Sequence, residues 1–166
     1  MKKRSIAFLI PIIIILAAYI SFIANRRIII VSGESMQPTL TNGNIVLASI
    51  YIDPVPGKIY MIKDPEEGLY VIKRLCGIPG DIIEIKDGAT YRNGNLFMES
   101  VSNNWDNLTF QLGPNDYLFL GDNRNASYDA RYWHRFVHLD EIELEAYFVI
   151  YPFSKAGALE VDLVGE

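Results

Sequence analysis

The fold is decided by residues 70–94, YVIKRLCGIPGDIIEIKDGATYRNG, in which short apolar runs alternate with turn residues. Residues 70–75 and 81–86 are each long enough for one strand, and Pro79-Gly80 divides them. Asn93-Gly94 is the pair typical of a two-residue type I′ hairpin. The stretch therefore predicts strands joined by tight turns rather than alternating strands and helices.

The same pattern continues on both sides of this stretch. Clusters of Gly, Pro, Asn and Asp separate further apolar or alternating runs, a spacing that favours a sandwich or a barrel. One weak helical pattern in the body covers residues 139–144. The additional strands are predicted at residues 28–31, 45–52, 58–63, 117–120 and 145–151.

The N-terminus departs from this pattern. Residues 5–25 carry no charged side chain, and at 1.5 Å per residue this run reaches about 31 Å, close to the thickness of a bilayer core. The competing interpretation is a cleaved secretory signal, because residues 2–4 form a basic head. A signal core has about 7–15 apolar residues and ends at a small-x-small site, whereas this core is longer and offers a bulky Phe22 there. We therefore expect a retained transmembrane helix.

The distribution of charge along the chain predicts the boundary between the apolar N-terminus and the body, and the orientation of the anchor. Residues 1–27 form the basic head and anchor, and residues 28–166 form the β-rich body. Three positive side chains and the amino terminus precede the apolar run, and Arg26 and Arg27 follow it. The positive-inside bias then predicts a cytoplasmic N-terminus and an extracytoplasmic body at the cell membrane.

Composition narrows the functions that the body can have. The 166 residues carry a net charge of −5, and all twenty acidic residues lie beyond residue 27, which argues against binding of nucleic acid. Cys76 is the single cysteine, so neither an internal disulfide nor a cysteine zinc cage is expected. Two histidines leave little for a metal site, and we predict neither a metal nor a cofactor.

Residues 31–40, VSGESMQPTL, place one serine in a turn after a predicted strand. Taken alone, this segment is typical of an ordinary turn, because Ser, Gly and Pro are turn residues. The alternative is that Ser35 is a nucleophile, which requires an adjacent base to take its proton.

Lys73 is a charged residue inside an otherwise apolar strand. Strand alternation places it on the same face as Val71 and Leu75, with Arg74 on the other face. It is either a lysine that snorkels at the margin of the sheet or a desolvated lysine with a lowered pKa that serves as a general base. Arg74 cannot be that base because it stays charged.

Residues 121–134, GDNRNASYDARYWH, are dense in polar groups. Asp122 with Arg124, and Asp129 with Arg131, are either local ion pairs on the surface or supports that hold an active site rigid.

Taken in this order behind an apolar N-terminus, the three segments resemble those of bacterial type I signal peptidase, a membrane-anchored endopeptidase that removes secretory signal peptides. The resemblance rests on residues 33–40, on residues 73–81, and on Gly121-Asp122-Asn123-Arg124 with Ser127, Asp129 and Arg131. The short chain is more similar to the compact Gram-positive form than to the longer Gram-negative form.

The resemblance implies a role for each of these residues. Ser35 would be the nucleophile and Lys73 the general base, with Ser127 hydrogen-bonded to the lysine amine. The Ser35 N–H would stabilise the oxyanion, and Gly33 and Met36 would belong to the oxyanion and substrate-binding part of the site. Gly33 stands where some members carry a second donor, so that donor is left open. The supporting groups would be Asp122, Arg124, and an ion pair between Asp129 and Arg131.

The resemblance also implies a mainly antiparallel fold around a small coiled β-barrel. The substrates would be signal peptides of exported preproteins, lying extended beside a strand edge near the lipid bilayer, with the secretion machinery as a possible partner. Three positions depart from the family pattern, namely Asn44, Ala130 and His134.

Three other functions compete with this interpretation. A soluble SOS-type self-cleaving protease disagrees with the apolar segment that precedes Ser35. A catalytically altered factor that assists assembly of pili or surface proteins disagrees with the presence of both Ser35 and Lys73. A Ser–His enzyme disagrees with the positions of His134 and His138, which lie outside the segment that carries Lys73.

Overall fold

The computed structural model of the protein describes residues 3–50, 53–99 and 107–159. The chain begins with one helix, α1 (Lys3–Ala24), which contains Pro11. Side chains are described at residues 10–17, 19, 20 and 24 of this helix, and all of them are exposed. Within the part of the chain that the structure describes, no helix meets the combined length and apolarity needed to cross a membrane.

The body consists of short antiparallel strands, as the alternation of apolar runs and turns predicts. A single residue, Asn25, separates α1 from the first strand. The strands are β1 (Arg26–Ile30), β2 (Ile45–Ser49), β3 (Ile59–Lys63), β4 (Tyr70–Gly77), β5 (Ile82–Lys86), β6 (Ala89–Arg92), β7 (Asn95–Met98), β8 (Leu108–Gln111), β9 (Leu118–Leu120), β10 (Ile142–Tyr151) and β11 (Gly157–Ala158).

The strands form two sheets. The larger has the order β1-β2-β10-β3-β4-β9, with β11 paired to β10, and the smaller has the order β7-β6-β5-β8. Their ladders are antiparallel, so the expected mainly β, antiparallel class is confirmed.

The expected small coiled β-barrel is not closed among the described residues, because the path of the larger sheet ends at β1 and at β9, which do not pair with each other. The strand β9 has only three residues and pairs with the C-terminal half of β4, so it offers little for β1 to close upon.

Two apolar clusters hold the body together. The larger lies where β3, β4 and β9 face the smaller sheet, and it contains Tyr60, Leu75, Ile83 and Phe119 among its fully buried side chains. The second lies beneath the loop between β1 and β2, around Met36, Leu40, Val46, Ile59 and Val149. Burial of side chains of this size stabilises the fold by about 1.5–3 kcal/mol each. The second cluster matters for function because it supports the loop that carries Ser35.

Local signals located most of the strands correctly. The Asn93-Gly94 hairpin is confirmed, since β6 pairs with β7 and both turn residues have positive φ, 52° at Asn93 and 80° at Gly94. The predicted strand over residues 45–52 ends at Ser49, and residues 51 and 52 lie outside the described residues.

The prediction of a helix from the weak pattern over residues 139–144 is wrong. Only Leu139–Glu141 form a short 3-10 turn, and β10 begins at Ile142. Ile142 and Leu144 pair with Ile62 and Met61 of β3, and this cross-strand pairing overrides the local preference.

Candidate active site

The loop between β1 and β2 holds Ser35 in a defined turn. Val31 N–H donates to the Asn44 carbonyl at 2.8 Å, and Gly43 N–H donates back to the Val31 carbonyl at 2.9 Å, which closes the base of the loop. Within it, Met36 is 2% exposed and is anchored in the second apolar cluster, while the neighbouring Ser35 is only half-buried. Gly33 has φ +94°, a conformation that side-chain-bearing residues rarely adopt. The turn therefore presents the Ser35 hydroxyl from a rigid base.

The strand β4 brings Lys73 to this hydroxyl. Lys73 is paired across the ladder with Tyr60 and is 4% exposed. Its Nζ lies 2.9 Å from Ser35 Oγ, which is hydrogen-bonding distance. The two residues that sequence analysis singled out from separate segments are in direct contact. The snorkelling alternative does not describe this lysine, because its head group is inside the protein.

Burial lowers the pKa of Lys73 below its usual value of 10.5, because the ammonium form loses its hydration. The carboxylates of Asp129, Asp64 and Asp122 act in the opposite direction, and Arg131 adds to the lowering. A lysine in this environment gives up its proton more readily than a lysine in water. Its neutral amine can then accept a proton from the hydroxyl that it contacts.

The polar segment of residues 121–134 contacts the backbone of Ser35. Asn123 N–H donates to the Ser35 carbonyl at 2.9 Å. At Gly121 an added Cβ would lie 2.6 Å from the Ser35 carbonyl and would also meet the Ser127 hydroxyl, so only glycine fits between them. The segment thus packs directly on the backbone of the serine turn.

The expected hydrogen bond from Ser127 to Lys73 is absent. Ser127 is 7% exposed, and its hydroxyl has no hydrogen-bond partner among the described residues. The Ser127 hydroxyl lies against Gly121 beside the serine turn, and the amine of Lys73 is hydrogen-bonded to Ser35 instead.

Asp129 and Arg131 form the predicted ion pair, and it is buried. Arg131 donates to the two carboxylate oxygens of Asp129 at 2.7 and 2.9 Å, with side-chain exposures of 1% and 0%. Asp129 also accepts from Gly121 N–H at 3.0 Å, and Arg131 donates to the carbonyls of Arg124 and Ser127. The pair therefore holds the whole segment in shape, and the interpretation as a surface ion pair is wrong.

Asp122 and Arg124 do not pair with each other. Asp122 accepts from Arg74 at 2.8 and 2.6 Å, and Arg124 donates to the Gly121 carbonyl and to Thr90 of β6. Arg74 is the supporting residue that sequence analysis missed, because its partner lies 48 residues away in the chain. It lies next to Lys73 and also donates to the Gly57 carbonyl, so it links β4 to two loops.

Two clefts meet at the Ser35–Lys73 pair. The first, called the apolar cleft because most of its lining is aliphatic, has a volume of about 290 Å³. The second, called the acidic cleft because three carboxylates line it, has a volume of about 390 Å³. Gly33, Ser35, Val71 and Lys73 line both of them. The lining of the apolar cleft is completed by Ile29, Ile30, Val31, Ser32, Met36, Met61, Tyr70 and Ile72, and that of the acidic cleft by Glu34, Asp64, Glu67, Leu69, Ala126 and Tyr128.

The three departures from the family pattern lie outside the contact between Ser35 and Lys73. Asn44 is buried and accepts a hydrogen bond from Thr41 N–H at 2.9 Å, so it serves the turn. Ala130 is 3% exposed and belongs to the larger apolar cluster. The His134 side chain is 88% exposed and contacts Glu66.

Cys76 is a core residue. It is fully buried, and burial raises the pKa of its thiol to about 12. The thiolate that would act as a nucleophile is therefore disfavoured.

A serine hydroxyl that is hydrogen-bonded to a buried lysine amine, in a mainly β body, forms a site suited to hydrolysis with a serine nucleophile. The family model for signal peptidase, peptidase S26, matches residues 2–151 of the chain. The chain belongs to this family, and it is a serine peptidase and hydrolase.

Individual relatives agree with this assignment. The chain is 32% identical to a probable signal peptidase I-2 of Synechocystis over 86% of this chain and 70% of that protein. It is also 32% identical to signal peptidase I P of Bacillus subtilis subsp. natto, over 75% and 76% of the two chains. A crystal structure of a signal peptidase I from Enterococcus faecalis V583 is similar, with a TM-score of 0.50 and 28% identity over 55% of this chain and 95% of that one.

Proposed function

We propose that the protein is a membrane-bound endopeptidase that removes signal peptides from exported preproteins, with Ser35 as the nucleophile and Lys73 as the general base. The observation that carries the proposal is the 2.9 Å contact between the Ser35 hydroxyl and a lysine amine that is 4% exposed. A serine hydroxyl reacts only when a base removes its proton, and a lysine acts as a base only when its pKa is lowered. Membership of the signal peptidase family supports the choice of substrate.

The reaction would proceed in two steps. Neutral Lys73 takes the Ser35 proton as Oγ attacks the scissile carbonyl, and the tetrahedral intermediate accepts a hydrogen bond from Ser35 N–H. The lysine then gives its proton to the departing amine, which leaves an ester between Ser35 and the signal peptide. In the second step Lys73 takes a proton from water, hydroxide attacks the ester, and the proton passes to Ser35 Oγ as the signal peptide leaves with a free carboxyl group.

The two clefts suggest how a preprotein would lie across the site. A signal peptide is apolar and ends in small residues, which suits the apolar cleft and its aliphatic lining. A further groove of about 770 Å³ shares Ile29, Ile30, Met61 and Tyr70 with the apolar cleft and extends to Arg27, two residues beyond the junction with α1. Residues before the cut would therefore run along β1 toward α1, and the residues after the cut would enter the acidic cleft.

Attachment to a membrane is supported by the surface of α1. Residues 12–16 are consecutive and exposed, and they cover the whole circumference of the helix with apolar side chains. Ile28, Ile30 and Tyr70 add exposed apolar side chains at the edge of the larger sheet. We propose residues 1–27 as the anchor, with a cytoplasmic N-terminus, and residues 28–166 as the extracytoplasmic catalytic domain. Resistance to alkaline extraction from membranes, and digestion of the body by protease added to spheroplasts, test these two points.

The decisive experiment is cleavage of a preprotein with an Ala-x-Ala site in detergent micelles. Wild type should cut after the second Ala, whereas Ser35→Ala, Lys73→Ala and Lys73→Arg should all be inactive, the last because arginine stays charged. Ser154→Ala and Lys86→Ala are matched controls at exposed positions that line neither cleft and should retain wild-type rates. Rapid turnover by Lys73→Arg would refute the role of the lysine. Absence of cleavage by wild type would favour the assembly-factor alternative, which the peptidase relatives do not favour.

A further inference from the structure

A hydrogen-bonded link joins two loops beside the acidic cleft. Glu66 Oε1 accepts a hydrogen bond from His134 N–H at 2.6 Å and lies 3.0 Å from His134 Nδ1. Glu66 belongs to the turn between β3 and β4, and His134 follows the segment held by the Asp129–Arg131 pair. The link therefore connects parts of the chain that are 68 residues apart.

The two linked loops both line the acidic cleft, and each is taken as one of its walls. The turn that carries Glu66 contributes Asp64, Glu67 and Leu69, and the other loop contributes Ala126 and Tyr128. Since the cleft lies between these groups and opens on Ser35 and Lys73, its width depends on how the loops are held relative to each other.

The turn that carries Glu66 is internally rigid. Asp64 Oδ1 accepts hydrogen bonds from the N–H groups of Glu66 and Glu67, at 2.7 and 2.9 Å. A constraint on Glu66 is therefore passed to the residues of the turn that line the cleft. On the opposite wall Tyr128 stacks on Tyr132, with ring centroids 5.4 Å apart, so this wall is also connected to the segment that ends at His134.

We propose that the Glu66–His134 link fixes the spacing of the two walls of the acidic cleft and so determines how tightly the enzyme holds the residues that follow the scissile bond. This inference rests on the proposed function, because that function places those residues in this cleft. Glu66 and His134 are positioning residues, since they act through the walls. Exposed pairs of this kind contribute little to stability. Loss of the link should therefore raise KM and leave the free energy of unfolding nearly unchanged.

The test uses two matched peptides with the same Ala-x-Ala site, one ending at the first residue after the cut and one continuing for eight residues. Glu66→Ala removes both hydrogen bonds and should raise KM for the long peptide about five-fold, with kcat unchanged. KM for the short peptide should not change, because that peptide does not reach the cleft. Glu66→Gln keeps an accepting oxygen and should restore KM for the long peptide to near the wild-type value.

Two further variants separate the link from general effects. His134→Ala keeps the backbone N–H and should raise KM for the long peptide by about half as much as Glu66→Ala on a logarithmic scale. Glu84→Ala is the matched control, because Glu84 forms an ion pair with Lys86 at 2.7 Å in the smaller sheet and lines neither cleft. It should leave both KM values unchanged.

Equal changes of KM for the two peptides, or no change in Glu66→Ala, would overturn the inference while the proposed function stands. Failure of the wild-type enzyme to cleave either peptide would overturn both. A change confined to the long peptide and reversed by Glu66→Gln supports the inference.

Discussion

Removal of the Asp122 carboxylate should destabilise the protein strongly. Arg74 and Asp122 have side-chain exposures of 8% and 7% and are joined by hydrogen bonds of 2.8 and 2.6 Å. The Asp122→Ala variant leaves the guanidinium in the interior without its carboxylate, and arginine cannot lose its charge to escape the cost. Breaking a buried pair in this way costs about 3–5 kcal/mol of the free energy of unfolding. For a chain of this length that corresponds to a fall in Tm of roughly 6–20 °C.

Thermal unfolding followed by circular dichroism in detergent micelles measures this fall. The double variant Arg74→Met with Asp122→Leu removes both charges and should recover most of the lost stability, because neither charge then remains in the interior. A double-mutant cycle of Arg74→Met, Asp122→Leu and the double variant gives the coupling energy of the pair. A fall in Tm of less than about 2 °C in Asp122→Ala would refute the reasoning, since it would mean that the pair contributes no more than an exposed one.

Other predictions concern the site itself. Gly121→Ala should lower both the urea midpoint and kcat, because its Cβ would lie 2.6 Å from the Ser35 carbonyl, whereas Gly157→Ala, where the surrounding space is open, should change neither. The cleavage rate should rise with pH through the lowered pKa of Lys73, since only the neutral amine accepts a proton, and a rate that is flat from acid to alkaline pH would contradict this. Because the folded state binds that proton less tightly than the unfolded chain, wild type should gain stability relative to Lys73→Met as pH rises from the lowered pKa toward 10.5, and the difference in urea midpoints should be constant below it. A preprotein with Lys at the third residue after the cut should have a KM roughly three- to ten-fold lower than one with Asp there, because three carboxylates line the acidic cleft, and added salt should reduce the ratio.

The parts of the fold that are specified locally could be predicted from the sequence. The hairpin at Asn93-Gly94 is one example, because two positive φ angles are a property of the turn residues themselves. The strand nature of residues 142–144 could not be predicted in this way. It depends on pairing with β3, about 80 residues earlier in the chain, and so on contacts that no local window contains. Whether the larger sheet closes into a barrel likewise depends on pairing between strands that are distant along the chain.

The candidate site shows the same division. The Asp129–Arg131 pair is two residues apart and was predicted, whereas the Arg74–Asp122 and Glu66–His134 contacts join distant segments and were not. Lys73 and Ser35 are also distant from each other. The resemblance associates them as nucleophile and base because the three segments occur in the order found in type I signal peptidase. No spacing along the chain indicates that the two side chains touch.

The junction at Asn25 has a geometric consequence for any enzyme held by α1. With one residue between helix and sheet, the body has little freedom to move relative to the helix, and the backbone from Ala24 to Ser35 can reach at most about 40 Å even if fully extended. Under the proposed function, in which Ser35 is the nucleophile and α1 the anchor, the reacting hydroxyl is held within a limited distance of the end of the helix. The proposal then implies that a peptide bond farther from the end of the helix is out of reach however well its flanking residues fit, so that distance from the anchor selects substrates alongside the chemistry of the clefts.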